Sequence, residues 1–219
     1  MSSVRDIIDD AWRDRLALMR ERAAWLEAVD PGGQDDEGGK DVMEALLAVY
    51  DGLAKWGAAD PAEAETLRAR VRRPELAGVL HGPRAQGTLA AYCGEGERYA
   101  LRGRTDGYLQ ACEYRSAVAS LTEDFDGVVA APFVEEEFDG FDEELRDVAD
   151  DATPVHRAQV PSWADRSSHW WWWKPDRVDM SMREYGDRVY AGDLGSVAPG
   201  DADWLRCGDE ECWCFTAPA

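Results

Sequence analysis

Three groups of residues have types and spacings that could support chemistry. The first is the run His169-Trp170-Trp171-Trp172-Trp173-Lys174-Pro175. Four consecutive indoles cannot all face inward on a regular element. On a strand, side chains alternate, so His169, Trp171 and Trp173 share one face while Trp170 and Trp172 share the other. A helix would spread them over roughly 300° at about 100° per residue. Pro175 suits a strand end, and a strand is the expectation. An open His169, Trp171 and Trp173 face would form an aromatic wall for a flat ring, a sugar or a cation. The plainer alternative is a sheet centre packed on both sides, with His169 as a hydrogen-bonded core residue. His81 and His156 are the other histidines.

The second group is Cys207, Cys212 and Cys214. A hairpin from Asp203 to Phe215 pairing Cys207 with Cys212 puts the three thiols and Leu205 on one face. It sets Trp204 against Phe215 and Arg206 against Trp213 on the other. Three thiols are weak candidates for a soft metal, but zinc takes four ligands from paired spacings such as C-x2-C, and no second pair occurs. Buried apolar thiols are the expectation, with Cys93 and Cys112 of the same kind. No metal or cofactor is implied. A Walker A loop, a dinucleotide-binding glycine fingerprint, a G-x-S-x-G elbow and an H-E-x-x-H helix are all absent.

The third group is acidic. Between Glu123 and Asp151 stand 13 acidic residues and one basic residue, Arg146, so this segment holds −12 of a net charge of −21. Phe125, Phe133, Phe138 and Phe141 are interleaved with the acids, and a purely solvating tail has little need of them. Glu135, Glu136, Glu137, Asp139, Asp142, Glu143 and Glu144 would form an acidic rim, with Phe138 and Phe141 as apolar anchors for a basic protein. The same carboxylates on a rigid frame could imitate nucleic-acid phosphates in a basic cleft. A solvated charged face is the plain alternative. The block lacks the ligand spacing of a calcium-binding EF-hand loop.

The net charge argues against nucleic acid or an anionic membrane as a direct partner. Lys occurs at positions 40, 55 and 174 only, against 21 Arg. That bias can also arise from GC-rich coding or salt adaptation. No apolar stretch approaches the roughly 20 residues that cross a bilayer. The N-terminus meets charge within five residues and has no apolar signal core. A cytoplasmic location is therefore expected.

The elements that would carry these groups follow from hydrophobic spacing. Residues 3–28 read as a helix with Val4, Ile8, Trp12, Leu16, Met19, Ala23 and Leu26 along one stripe. Residues 30–39 hold four acids and four glycines and read as a flexible loop. Asp41–Trp56 reads as a second helix. Asp60-Pro61-x-Glu63 starts a third that ends near Arg73-Pro74. Thr88–Cys93 and Arg98–Leu101 read as short strands joined at Gly94-Glu95-Gly96. Residues 108–121 approximate a helical face, 141–150 suggest a short acidic helix, and about 168–216 reads as aromatic sheet.

The expected fold is α+β: three N-terminal amphipathic helices packed on a mainly antiparallel, Trp-rich C-terminal sheet. The expected organisation is a helical region at 1–76 and an α+β region at 82–219 in one integrated domain, with the acidic segment at 123–151. The functional expectation is a non-enzymatic acidic module, an inhibitor or immunity-type factor that neutralises a basic protein. The alternatives are a small-molecule enzyme with a pocket at His169–Trp173 and a structural or assembly subunit.

Overall fold

The computed structural model describes residues 4–56, 60–102, 107–151, 161, 163–164 and 168–173. Most of these residues are helical, and no strand occurs among them. The elements are α1 (Val4–Ala28), α2 (Asp36–Trp56), α3 (Pro61–Val71), α4 (Ala77–Leu80), α5 (Pro83–Leu101), α6 (Tyr108–Asp124), α7 (Pro132–Asp151) and α8 (Trp170–Trp173). The described residues therefore form an all-helical structure, and the expected α+β fold is corrected. The chain divides into two compact units. The first comprises Met1–Gly96 and Glu113–Phe141, and the second Glu97–Cys112 and Asp142–Ala219.

In the first unit α2 is the central element. Val42, Met43, Leu46, Val49 and Tyr50 are fully buried on it, against Met19, Ala23 and Leu26 of α1 and Leu67 and Val71 of α3. Each such side chain contributes about 2 kcal/mol on leaving water. Local chemistry sets the ends. The Asp60 carboxylate accepts from Glu63 N at 3.1 Å and caps α3, satisfying one of the donors that a helix start leaves open. The last turn of α1 has no basic residue. Arg73 supplies the charge there by donating to the carbonyls of Leu26 and Val29, as the negative end of the helix dipole favours.

Two buried polar groups fasten the helices of this unit. Asp124, at the end of α6, accepts from Tyr50 Oη at 2.8 Å and from Arg68 Nε and Nη2 at 2.7 and 3.1 Å. It thereby joins α2, α3 and α6 at one carboxylate. Gln86, on α5, is 1% exposed. Its Nε2 donates to Leu80 O and Val128 O at 2.8 and 2.7 Å. Its Oε1 accepts from Ala130 N and Ala131 N at 3.0 and 2.9 Å. All four hydrogen-bonding positions of the amide are in use, and they fix the segment that launches α7.

Three expected elements take other forms. The hairpin at 88–101 is instead the middle and end of α5. Gly94 and Gly96 provide space, not a turn: a Cβ on Gly96 would meet Phe141 Cζ at 2.5 Å, and one on Gly94 would meet Glu137 Oε2 at 3.2 Å. The expected loop at 30–39 holds a 3-10 turn, Pro31–Gly33, and then the first turns of α2. There the Asp35 side chain accepts from Gly38 N at 3.0 Å, and this cap starts the helix five residues before Asp41. The acidic helix runs over Pro132–Asp151, with proline at its first position, and not over 141–150 alone.

In the second unit the tryptophan run is one helical turn and not a strand. Trp172 N donates to His169 O at 3.1 Å. A turn points successive indoles in different directions, so that Trp170, Trp171 and Trp172 find separate neighbours, and this outweighs the β-preference of tryptophan. Tyr108 Oη donates to Trp171 O at 2.7 Å, which ties the turn to α6. Among the described residues no helix is long and apolar enough to cross a membrane.

The Gln86 clamp gives a direct prediction. Gln86→Leu leaves two buried N–H groups and two carbonyls without the amide, and each such loss costs about 1–3 kcal/mol. Urea unfolding should show a loss of about 3 kcal/mol or more. A loss below about 1 kcal/mol would mean that solvent replaces the amide and the clamp is dispensable.

Candidate functional site

The described residues carry two arrangements with functional potential, an acidic helix face and a polar pocket, both in the first unit. The face is on α7. Its apolar stripe, Val134, Phe138, Phe141 and Leu145, is spaced four, three and four residues apart, and turns inward. Phe141 is fully buried, close to Gly96 of α5. Phe138 is half-buried, with the Arg115 guanidinium 4.2 Å from its ring centroid. Glu135, Glu136, Glu137 and Asp139 are exposed. Phe133, one residue off the stripe, is 46% exposed and lies one turn before Glu136 and Glu137. The exposed aromatic of the acidic face is thus Phe133. Helical spacing places it outside, provided the helix is started at Pro132.

The remaining acids expected at the site, Asp142, Glu143 and Glu144, belong to the second unit. Glu143 is exposed, Asp142 and Glu144 are half-buried, and Arg146 Nη2 lies 3.6 Å from Asp142 Oδ2.

Elsewhere in the first unit, several arginines are matched to acids. Arg20 pairs with Glu63, Arg70 with Glu27, Arg68 with Asp124 and Glu123, and Arg84 with Glu37. Among the described residues no cation pairs with Glu135, Glu136, Glu137 or Asp139. The helix therefore presents uncompensated charge, and two of these acids, Glu136 and Glu137, adjoin the exposed ring.

The pocket is a cavity of about 450 Å³ lined by α1, α2, α5 and α6. Glu44, Ala48, Asp51 and Lys55 recur at helical spacing along one edge of α2 and bring its polar side to the cavity. Asp51 is 7% exposed. Its carboxylate accepts from Arg15 Nη2 at 2.8 Å, from Tyr92 Oη at 2.9 Å and from Lys55 Nζ, whose nearer approach is 2.8 Å. Lys55 Nζ also lies 5.1 Å from the centroid of Tyr114, and the Tyr92 and Tyr114 rings are 4.6 Å apart. Burial beside the Asp51 charge pushes the Tyr92 hydroxyl well above its ordinary range, so it acts as a fixed hydrogen-bond donor. No sequence motif marks this cluster, because four helices supply it.

Glu113 on α6 feels the same charges. Burial pushes its carboxyl up to about 7; Lys55 and Arg15 oppose the shift and Asp51 reinforces it.

The residues expected to form an aromatic ligand wall lie in the second unit. His169 is buried, with its ring 5.2 Å from Trp163 and 5.1 Å from Trp171, centroid to centroid. Ser168 Oγ is 2.9 Å from His169 Nδ1. Trp171 and Trp172 are each 1% exposed, so neither offers an open face, and Trp170 lies under Arg146 at 5.3 Å. Trp173 closes the turn. Cys207, Cys212 and Cys214 lie outside the described residues, as do His156 and the expected C-terminal sheet beyond Trp173. Among the described residues no group of His, Cys, Asp and Glu is placed to hold a metal ion.

The Glu113 shift carries a stability prediction. From about pH 4.5 to 7 the folded chain holds a proton that the unfolded chain releases, so this carboxyl lowers stability as pH rises through that window. Glu113→Gln should match the parent near pH 4.5 and exceed it by about 3 kcal/mol at pH 8. Urea unfolding at both pH values checks this, and a pH-independent difference would refute it. Comparisons with known protein families, curated proteins and solved structures find no match for the chain.

Proposed function

We propose that the protein is a non-enzymatic acidic binding module that captures and neutralises a basic protein through the exposed face of α7. The observation that carries this reading is the contrast within the first unit. Arg20, Arg68, Arg70 and Arg84 pair with acids on other helices, while Glu135, Glu136, Glu137 and Asp139 of α7 have no cation among the described residues, and Glu136 and Glu137 stand one turn from the exposed Phe133. A bias from coding or salt adaptation accounts for many acids, but not for an exposed aromatic ring flanked by two of them one turn away. An apolar anchor within a charged rim is the arrangement of a protein interface: the ring supplies affinity and the charges steer encounter. The partner would bring Arg or Lys to the rim and an apolar recess to Phe133. On this reading neither nucleic acid nor an anionic membrane is a partner, and the module works in the cytoplasm.

The test compares capture by the parent chain with capture by two variants. Glu135→Lys, Glu136→Lys and Asp139→Lys together should abolish retention of a basic protein from host extract and slow association of the purified pair at least tenfold. Phe133→Ala should leave association nearly unchanged and raise the dissociation rate about tenfold or more. These positions are exposed, so both chains should fold. Equal capture by the parent and the charge-reversed chain would refute the proposal.

A further inference from the structure

The α7 face does not use the cavity at Asp51, and the balance of charge there selects a class of ligand. Three carboxylates line the cavity, Glu44, Asp51 and Glu95, with two cations, Arg15 and Lys55. Both cations contact Asp51. At the rim Glu44 pairs with Lys40 at 2.9 Å, so three cations in all stand against three carboxylates. Glu113 is beside them, and its carboxyl, pushed up to about 7, holds its proton at pH 6 and adds little charge there. The site as a whole is close to neutral. An ion entering it would give up hydration without meeting a net opposite charge, which is unfavourable. The ligand that fits carries no net charge.

Such a ligand must still answer polar groups of both senses. Arg15 gives Asp51 one of its five guanidinium N–H groups, and Lys55 brings three N–H donors to the two Asp51 oxygens. Donors are therefore in surplus on that side. Glu44 and Glu95 only accept, and each carboxylate offers about four lone-pair positions. Tyr92 Oη spends its hydrogen on Asp51 and Thr88 Oγ1 on Arg84 O, so toward the cavity these two oxygens are acceptors. A hydroxyl both donates and accepts, and a molecule with several hydroxyls matches this mixed lining. Leu47, Ala48, Ala91 and the two tyrosine rings add apolar surface suited to C–H faces. The volume, about 450 Å³, is ordinary for a small-molecule site. We infer that this cavity binds a neutral sugar, its hydroxyls bonded to Arg15, Lys55, Glu44 and Glu95 and one C–H face against Ala91 and Tyr92. Asp51 is a positioning residue: it holds both cations in place through charge-assisted hydrogen bonds.

The probes are glucose, galactose and ribose, with glucuronate and glucosamine as anionic and cationic counterparts. Each is titrated at pH 6 into the full chain and followed by amide NMR shifts. At least one neutral sugar should perturb residues around Asp51 and Tyr92 at millimolar concentration and bind at least tenfold tighter than glucuronate or glucosamine. Ala91→Trp fills the cavity from an exposed position and leaves every ion pair in place, so it should abolish sugar binding in a folded chain. Lys55→Met leaves the lining one negative charge in excess and should shift preference toward glucosamine at least tenfold, a change that mere loosening of the fold would not produce. The inference is overturned if no neutral sugar shifts these residues, if either charged sugar binds the parent as well as the best neutral one, if Ala91→Trp leaves affinity intact, or if Lys55→Met leaves the preference unchanged. None of these readouts depends on the α7 face, so the two proposals fail separately.

Discussion

One buried amide fixes much of what the first unit presents to its surroundings. Gln86 joins the end of α4, the body of α5 and the segment Val128–Ala131 through four hydrogen bonds. A buried amide is favourable only when all its positions are filled, because each unfilled one carries a desolvation cost. This makes the geometry close to all-or-none: the segment either lies where both N–H groups reach Oε1, or the cluster is lost. α7 starts one residue later, at Pro132. Its rotation about its own axis is set by Val134 and Phe141 settling into the core. The amide therefore determines where the acids begin, and the apolar stripe determines which way they face.

The sequence showed part of this. The cap at Asp60-Pro61-x-Glu63 was legible because both partners lie within one turn, and the stripe of Met19, Ala23 and Leu26 was legible because it repeats at helical period. Gly94 and Gly96 were misleading for a definite reason. A glycine that makes a turn and a glycine that admits a neighbouring ring are the same letter, and the ring, Phe141, lies 45 positions away in the chain. The tryptophan run had no period of its own, so propensity alone favoured a strand. The contact that decides otherwise comes from Tyr108, more than 60 residues earlier. For the acidic block, composition revealed the charge but not the boundary of its helix. With the start set near 141, Phe133 had no face to be assigned to. With it at Pro132, the spacing of Val134, Phe138 and Phe141 puts Phe133 outside.

The Asp51 cluster marks the limit of such reading. Its members stand at positions 15, 51, 55, 92 and 114, and no local window contains more than two of them. The i, i+4 pair Asp51 and Lys55 has the look of an ordinary surface ion pair, worth a few tenths of a kcal/mol. Burial changes its character. In a low-dielectric setting a carboxylate that has lost water needs several donors, and Arg15 and Tyr92 supply those that Lys55 alone cannot. The charges are then placed by the fold, and rearranging them would expose a buried carboxylate.

The use of lysine at position 55 bears on how far composition explains this protein. A chain with 21 Arg and three Lys favours arginine wherever a surface cation is wanted, and Arg20, Arg70 and Arg84 fill that role. At position 55 the cation must approach a carboxylate at 2.8 Å while lying near a tyrosine ring. An ammonium is a compact point charge suited to that space, whereas a guanidinium is a broad planar fork. Arginine beside it, at position 15, reaches Asp51 with one nitrogen and lines the same cavity. The division of labour follows from shape: the point charge sits between the carboxylate and the ring, and the longer fork reaches the same carboxylate from α1. A general bias toward arginine would not produce it.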